Sequence, residues 1–285
     1  MRQKVSVVVP LYTFMFRWIS VILGVFGDRQ GVTRSLRSCA AGGAPATHMP
    51  AGVSAPKHHA ILVPYRDRKV HLRKFLAHMK AHFAGLRGHV MHIYVMEQDD
   101  KRLFNRAWLF NAGLRTLLQE AVTFTCVITH DVDFLPLPAV DYTKCALPTQ
   151  LGSELEHFGW GVPYGSYCGG VVSASMADWR KINGFSNRFK GWGGEDDELG
   201  QRFGLAGLMQ GGQIHRPPKG EGCFSPMHDE HHTARTSRKS PHKTGQMIDN
   251  TASHWKTDGL SSVKYTATSR RALGCGVWHL QVQQR

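Results

Sequence analysis

The sequence predicts an α/β fold in which helices flank a mostly parallel, twisted sheet. Short apolar runs of strand length alternate with longer segments whose apolar residues recur at helical spacing. This alternation is typical of parallel sheets, because crossover helices join their strands. Polar groups directly follow three of the predicted strands, and ligands of such sheets bind beyond the carboxyl ends of the strands. The pattern therefore predicts both the fold and the edge of the sheet that carries the site.

The elements follow in a regular order through the first half of the chain. Apolar runs predict strands at residues 59–64, 90–96 and 124–128, and a proline ends the first of them. Apolar residues at helical spacing predict helices over residues 72–86 and 103–118. Beyond the third strand glycine and proline become more frequent, so shorter elements are expected there.

Three polar groups stand at the predicted strand ends: Pro64-Tyr-Arg-Asp-Arg68, Glu97-Gln-Asp-Asp100 and Asp131-Val-Asp133. An Asp-x-Asp pair in this position can direct two carboxylates towards one divalent cation. Hard oxygen ligands suit Mn²⁺ or Mg²⁺, and such a cation can bridge a diphosphate. Arg66 and Arg68 suit phosphate or carboxylate recognition, with ordinary loop charge as the alternative interpretation.

The segment Gly191-Trp-Gly-Gly-Glu-Asp-Asp-Glu198 is the most informative in the chain. Its glycines let the backbone bend and approach a ligand closely. Trp192 can offer an aromatic face to a sugar or nucleotide, and the carboxylates after it can accept a proton from a hydroxyl. The alternative interpretation is a helix whose first turn carries favourable acidic residues. Spacing alone does not choose the base among Glu195, Asp196 and Asp197.

Composition narrows the function classes. The 285 residues can form one full-sized domain with short appendages. A net charge of +14 favours anionic partners. The basic segments at residues 29–37 and 235–256 lack interleaved aromatic residues, so nucleic acid is not an expected partner. The six cysteines include no Cys-x-x-Cys pair, which argues against a structural zinc site and leaves disulfide connectivity open.

Three regions divide the chain. Residues 1–27 form a short tail and a candidate membrane span over residues 5–27, which is rich in Val, Ile, Leu and Phe and interrupted by Pro10 and Arg17. No cleavage site clearly follows it, so an uncleaved signal anchor is expected. Residues 28–57 are rich in Gly, Ala, Pro, Ser and Arg and are interpreted as a flexible stem. Residues 58–285 are expected to form the catalytic domain.

Six segments, in order within residues 59–285, resemble the β-1,4-galactosyltransferase family. Pro64-Tyr-Arg-Asp-Arg68 is similar to the family's Pro-Phe-Arg-Asn-Arg nucleotide loop, with Tyr and Asp replacing Phe and Asn. The other segments are Phe104-Asn-Arg-Ala107 with Asn111-Ala-Gly113, His130-Asp-Val-Asp133, Tyr167-Cys-Gly-Gly170, Asn183-Gly-Phe185 and Gly191-Trp-Gly-Gly-Glu-Asp-Asp197.

The resemblance implies a GT-A fold, a UDP-galactose donor, Mn²⁺, inversion at the anomeric carbon and a Golgi type II membrane protein with a lumenal catalytic domain. By matched position, Asp196 would be the catalytic base. Asp133 and His228 would bind the metal, with His231 as an alternative ligand. Donor contacts would come from Tyr65, Arg66, Arg68, Phe104, Asp131, Val132, Tyr167 and Trp192. Acceptor contacts would come from Tyr167, Trp192, Glu195, Asp196 and Asp197.

The chain departs from the family pattern at the metal. Relatives supply a second ligand two or three residues before the histidine matched by His228, where this chain has Pro226 and Ser225. His231, His232 or a water could replace it, and a catalytically silent sugar-binding relative is the alternative interpretation. The missing ligand favours that alternative, whereas the intact Asp131, Asp133 and Asp196 argue against it.

The acceptor branch rests on fewer residues. Ser186-Asn-Arg-Phe189, Glu195-Asp-Asp-Glu198 and Gly259-Leu-Ser-Ser-Val-Lys-Tyr265 resemble the branch that galactosylates xylose on proteoglycan linkers. Phe158-Gly-Trp-Gly-Val-Pro-Tyr164 and Gly193-Gly194 are more similar to the branch that uses N-acetylglucosamine. Xylose is the expected acceptor. N-acetylglucosamine as acceptor, or UDP-N-acetylgalactosamine as donor, is the alternative.

Overall fold

The computed structural model describes residues 54–191, 193–227 and 244–285. The predicted anchor and almost all of the predicted stem lie outside these ranges. Within them, no helix combines the length and apolar character needed to cross a membrane.

Ten strands and six α-helices are found within the described residues. The strands are β1 Lys57–Tyr65, β2 His89–Gln98, β3 Phe124–His130, β4 Phe134–Pro136, β5 Thr149–Gln150, β6 Glu154–Leu155, β7 Val171–Ala174, β8 Cys223–Pro226, β9 Tyr265–Gly274 and β10 Val277–Gln284. The helices are α1 Lys69–His82, α2 Arg106–Leu117, α3 Met176–Lys181, α4 Glu195–Leu205, α5 Thr244–Asp249 and α6 Thr251–His254.

A seven-stranded sheet in the order β5-β7-β3-β1-β2-β10-β9 forms the centre of the domain. Its four middle strands, β3, β1, β2 and β10, run parallel. The pairs β3–β7, β7–β5 and β10–β9 are antiparallel, so the sheet is mixed towards its edges. Three short strands form a second, smaller sheet in the order β4-β8-β6. The predicted α/β class is confirmed, and the predicted parallel pairing describes the centre of the sheet.

Helix α2 packs closely on the sheet. Ten of its twelve residues are buried, among them Trp108 and Phe110. A side chain at Gly113 would place its Cβ 2.8 Å from Leu62 of β1, so glycine permits the close approach. The helix begins at Arg106, three residues later than predicted, because the Asn105 side chain accepts a hydrogen bond from the Trp108 amide and caps it.

The other predicted elements are also present, with differences at their ends. The first predicted helix stops at His82, four residues early. The predicted domain boundary at residue 58 falls inside a strand, since β1 begins at Lys57, whose amide donates to the Gly88 carbonyl. A disulfide joins Cys126 of β3 to Cys145.

The polar group at the end of β2 holds the backbone. The Gln98 amide nitrogen donates to Asp100 and to the Leu103 carbonyl, and its oxygen accepts from the Asn105 amide. These bonds fix the loop that leads into α2. Of the three predicted polar groups, this one therefore has a structural role.

Candidate active site

The predicted site forms where the carboxyl end of β3 faces the amino ends of α2 and α4. Arg106 lies at its centre. Its Nε donates to Asp131 Oδ1 at 2.6 Å and its Nη1 donates to Asp196 Oδ1 at 2.6 Å. The same Nη1 lies 3.5 Å from Glu195 Oε1. One guanidinium thus joins the Asp-x-Asp segment to the acidic segment that follows Trp192.

The position of Arg106 requires these carboxylates. It stands in the first turn of α2, where the helix dipole disfavours a cation. Burial alone would lower the pKa of Arg106, but Asp131, Asp196 and Glu195 together raise it well above its ordinary value. The guanidinium also lies over the Phe110 ring, 4.8 Å from its centroid. Arg106 is consequently a fixed, permanent charge.

The segment that carries Asp196 turns on glycines and then becomes helical. Gly191, Gly193 and Gly194 have φ values of 82°, 103° and 91°, a region that side chains rarely adopt. Helix α4 starts directly afterwards, and its first turn is acidic, which suits the helix dipole. The helical interpretation of this segment is therefore right, and it is compatible with a site role because Asp196 faces Arg106.

Space for Asp196 is made by a second glycine segment. A Cβ added to Gly169 would overlap the Asp196 carboxylate. The Gly169 carbonyl is held by the buried Gln150 side chain, which donates to it. The Tyr167-Cys-Gly-Gly170 motif therefore forms the wall against which the carboxylate packs.

The environment raises the pKa of Asp196 to about 7. Burial is the largest cause; Arg106 opposes it, and the neighbouring charges of Glu195 and Asp131 add to the rise. Burial also raises the pKa of Asp131, again against the effect of Arg106. A carboxylate with a pKa near neutrality is well matched to accepting a proton from a substrate hydroxyl.

The predicted metal side of the site is built on Asp133. Arg68 donates to Asp133 Oδ2 at 2.7 Å. The Met227 amide donates to the Asp133 carbonyl at 2.7 Å, which fixes the residue before His228 beside Asp133. His228 and His231 themselves lie outside the described residues. Ser225 and Pro226 are part of β8, paired with Leu135 and Phe134 of β4.

The charges of the site are unbalanced. Four carboxylates (Asp131, Asp133, Glu195 and Asp196) surround two guanidinium groups (Arg68 and Arg106). The described residues contain no group of three or more His, Cys, Asp or Glu arranged to hold a metal. The four carboxylates outnumber the two guanidinium groups, and oxygen ligands of this kind suit a divalent cation.

The predicted nucleotide residues lie at the ends of β1 and β3 and before α2. Arg66 donates to the Arg102 carbonyl and lies 5.3 Å from the centroid of the Phe104 ring. Tyr65 and Val132 are buried, 4% and 3% exposed. Their side chains therefore support this side of the site from within the core.

The predicted acceptor side contains two tyrosines. The pKa of Tyr167 is raised by burial first and then by the nearby charges of Asp196 and Asp131, so this ring stands close to both carboxylates. The Tyr164 hydroxyl donates to Asp197 Oδ1 at 2.6 Å. Trp192 lies outside the described residues, but the amide of Gly191 before it donates to the Phe104 carbonyl.

Sequence reasoning missed Arg106 and Tyr164 as site residues. Both stand inside segments that carry the family resemblance. A signal for Arg106 was available, because a cation in the first turn of a helix without acidic residues calls for a nearby anion. Tyr164 offered no comparable signal. The roles of all predicted site residues stay predictions. The structure shows that three of them, Asp131, Glu195 and Asp196, surround Arg106.

Two family models match the chain in succession. The N-terminal region of glycosyl transferase group 7 matches residues 29–146, and the N-terminal domain of galactosyltransferase matches residues 149–232. The fold and the matches define a glycosyltransferase domain of the GT-A class.

Relatives narrow this class. The solved catalytic domain of Drosophila β1,4-galactosyltransferase 7, in complex with xylobiose, is 30% identical with a TM-score of 0.65, over 80% of this chain and 94% of that one. Human β-1,4-galactosyltransferase 3 is 34% identical over 78% of this chain and 55% of its own length. β-1,4-galactosyltransferase 2 of Cricetulus griseus is 35% identical over 72% and 54%. The chain belongs to the β-1,4-galactosyltransferase family, and it spans about half the length of these curated relatives.

Proposed function

We propose that the protein is an inverting, Mn²⁺-dependent β-1,4-galactosyltransferase that moves galactose from UDP-galactose to a sugar hydroxyl. The observation that carries the proposal is the bridge from Asp131 through Arg106 to Asp196. It holds a carboxylate expected to contact the donor and a carboxylate suited to act as base on one rigid group. A donor bound at Asp131 and an acceptor bound at Asp196 would lie next to each other, because both carboxylates are bonded to Arg106.

In the proposed reaction the acceptor hydroxyl oxygen attacks the anomeric carbon of galactose from the face opposite UDP. The new C–O bond forms as the bond to the UDP oxygen breaks, and Asp196 takes the hydroxyl proton. Arg106 holds the Asp196 carboxylate in place at 2.6 Å. The wall at Gly169 packs against one side of that carboxylate, and the Asp196 side chain stays 25% exposed, so an acceptor hydroxyl can reach it.

The metal proposal rests on Asp133 and His228. When bound there, Mn²⁺ would neutralise the negative charge that develops on the departing UDP. Arg68, which is bonded to Asp133, adds a second positive charge on the same side. Support also comes from a mutant of the Drosophila enzyme, which was solved with manganese, UDP-Gal and xylobiose.

Xylose of a proteoglycan linker is the proposed acceptor. Motifs near Ser186, Glu195 and Gly259 support it, as does the xylobiose bound to the Drosophila structural relative. N-acetylglucosamine remains the second candidate, because the segment from Phe158 to Tyr164 favours it. We further propose a Golgi membrane location, supported by the apolar segment at residues 5–27.

A transfer assay tests the proposal. Purified protein is incubated with UDP-galactose, UDP-N-acetylgalactosamine or UDP-glucose, and with a xyloside, a glucoside or an N-acetylglucosaminide, with and without Mn²⁺. Mn²⁺-dependent transfer from UDP-galactose to the xyloside is expected. Binding of UDP without transfer to any acceptor would identify a catalytically silent relative and refute the proposal.

A further inference from the structure

The outward face of α1 carries positive charge that the candidate active site does not use. Residues 69–96 contain five Lys or Arg and no Asp or Glu. Lys69, Arg73 and Lys74 are exposed on α1, and Arg87 is exposed just after it. None of these four side chains forms a hydrogen bond or ion pair with another described residue. They are therefore available to an anionic partner.

The charges lie along the helix. Lys69 and Arg73 are one turn apart on the same side of α1, and Lys80 follows on that side in the last turn. The opposite side, with Phe75 and Met79, is buried. A helix of 14 residues is about 21 Å long, so the basic stripe matches an extended chain better than a compact anion.

A cavity of about 390 Å³ lies at the carboxyl end of α1. Arg87 and His89 line it, and so do the rings of Phe83 and Tyr142. Phe83 is partly exposed and can pack against one sugar ring beside the nitrogen donors of Arg87, whereas Tyr142 is only 1% exposed. Asp141 also lines the cavity, where its carboxylate accepts from the Thr143 amide and hydroxyl. That carboxylate opposes a bare phosphate and suits a ligand with hydroxyl groups.

Two other anionic partners fit this surface less well. A helix that binds a lipid surface presents a row of bulky apolar residues to it, whereas the exposed side of α1 carries one, Val70, among alanines such as Ala77 and Ala81. A surface for single-stranded nucleic acid interleaves aromatic residues with basic ones, and the exposed side of α1 has none.

We propose that this surface binds a linear sulfated polysaccharide, with one sugar unit in the cavity and neighbouring sulfated units along the stripe. The site is separate from the candidate active site and does not depend on the proposed transfer reaction.

Binding of a fluorescent chondroitin sulfate decasaccharide, followed by anisotropy at physiological salt, tests the proposal. The stripe variant is Lys69→Ala/Arg73→Ala/Lys74→Ala/Arg87→Ala. The control variant, which removes the same charge elsewhere, is Arg180→Ala/Lys181→Ala/Lys219→Ala/Lys264→Ala. We expect about a tenfold loss of affinity in the stripe variant and less than about threefold in the control. An equal loss in both variants, or no binding by the wild type, overturns the proposal.

Two further experiments test the role of the cavity and compare the polysaccharide with the other anionic partners. Ala139 is exposed and lines the cavity, so Ala139→Trp fills it without disturbing the core. It should lower affinity about fivefold, since the sugar in the cavity is lost. Vesicles containing phosphatidylserine and a single-stranded RNA should bind more weakly than the decasaccharide. Tighter binding of either, or an unchanged affinity in Ala139→Trp, contradicts the assignment. Circular dichroism and transfer to a small acceptor check that each variant is folded.

Discussion

The two ends of the central sheet respond to acid in opposite directions. At the carboxyl end, burial raises the pKa values of Asp131 and Asp196, the latter to about 7. At the amino end, β1 and β2 carry two histidine pairs, and burial with the paired ring lowers the pKa values of His59 and His92 to about 4. Burial disfavours charge at both ends, but the charged form is the deprotonated one for Asp and the protonated one for His.

The two histidine pairs show how the amino end satisfies its polar groups. His59 Nε2 lies 2.7 Å from His89 Nδ1, and His58 Nδ1 lies 2.9 Å from His92 Nε2. Each short contact requires at least one neutral ring, because two imidazolium rings have no acceptor. At the carboxyl end the carboxylates are instead held by arginine. The comparison shows that the histidine pairs at the amino end depend on neutral rings, whereas the carboxyl end holds charged side chains in ion pairs.

Asp196→Asn should have the largest effect on activity. It keeps the size of the side chain and removes the base, so transfer should fall by about 10²- to 10⁴-fold while UDP binding persists. In the wild type, the transfer rate should fall as pH drops through about 7, because Asp196 becomes protonated. Initial rates and thermal melting, measured together, check both statements.

Asp196→Asn also distinguishes a catalytic role of this carboxylate from a purely structural one. If Asp196 only stabilised the start of α4, the variant would lose about 1 kcal/mol of stability and keep near-normal turnover. The proposed role predicts no loss of stability at neutral pH, because a buried carboxylate with a raised pKa is itself unfavourable there.

Arg106→Met tests whether one cation organises the carboxyl end. It leaves Asp131, Asp196 and Glu195 close together without their shared partner, so the free energy of unfolding should fall by about 3 to 5 kcal/mol at neutral pH. Urea denaturation measures the loss. The exposed Arg115 of the same helix is the control, and Arg115→Met should change stability by less than about 0.5 kcal/mol.

A double variant gives the matching test of Arg106. Adding Asp196→Asn to Arg106→Met removes one of the unpaired charges and should restore part of the stability. Strictly additive losses in the double variant would show that the two side chains are not coupled.

Asp133→Asn and His228→Gln should each raise the Mn²⁺ concentration needed for half-maximal transfer about tenfold, since each removes a proposed ligand. A titration of transfer rate against Mn²⁺ measures this. Asp249 is exposed and remote from the proposed ligands in sequence, so Asp249→Asn serves as the control. His231→Gln in the same titration tests the alternative ligand. If no variant shifts the titration, the metal assignment is wrong.

The amino end should lose stability in acid. The folded state lowers the pKa values of His59 and His92 from 6.5 to about 4, so their contribution is complete above pH 6.5 and is lost as pH falls towards 4. At pH 5.5 the two together should cost about 1 to 3 kcal/mol. The raised pKa of Asp196 has the opposite effect, since it increases the stability of the folded state as pH falls from about 7 to 3.8. The wild type therefore shows only the difference between the loss from the histidines and this gain.

Variants separate the contribution of the histidines to stability in acid from that of the carboxylates. His59→Leu/His92→Leu should show less acid destabilisation than the wild type, whereas Asp196→Asn should show more. Urea denaturation at pH 7.5 and 5.5 measures both. If the double histidine variant lost as much stability between pH 7.5 and 5.5 as the wild type, the assignment of neutral rings to the amino end would be wrong.

The sequence predicted the regular half of this fold because its signals are local. Strands β1 to β3 and helices α1 and α2 each carry their own apolar period. The hairpin β9–β10 was not predicted. β9 is mostly exposed and shows no clear alternation, and β10 pairs with β2, about 180 residues earlier in the chain. Nothing local in the sequence indicates such a pairing.

The candidate site follows the same rule. Asp131, Asp133 and Asp196 stand in short motifs whose residue types indicate their chemistry. Arg106 stands in a helix, 25 and 90 residues from the two aspartates that it joins. Its importance follows from tertiary contacts, which residue spacing does not encode. The family resemblance located the segment, and the fold identified the residue.

Removal of residues 1–56 should have the smallest effect. The described domain begins with β1 at Lys57, whose strand partners are β2 and β3, and both lie within residues 57–285. A fragment of residues 57–285 should therefore fold and transfer galactose to small acceptors at close to the full-length rate. A fragment that begins at residue 62 is the control, since it lacks half of a central strand and should not fold. Circular dichroism and initial rates of the two fragments measure the difference. If the longer fragment also fails to fold, the predicted anchor and stem contribute to the globular core.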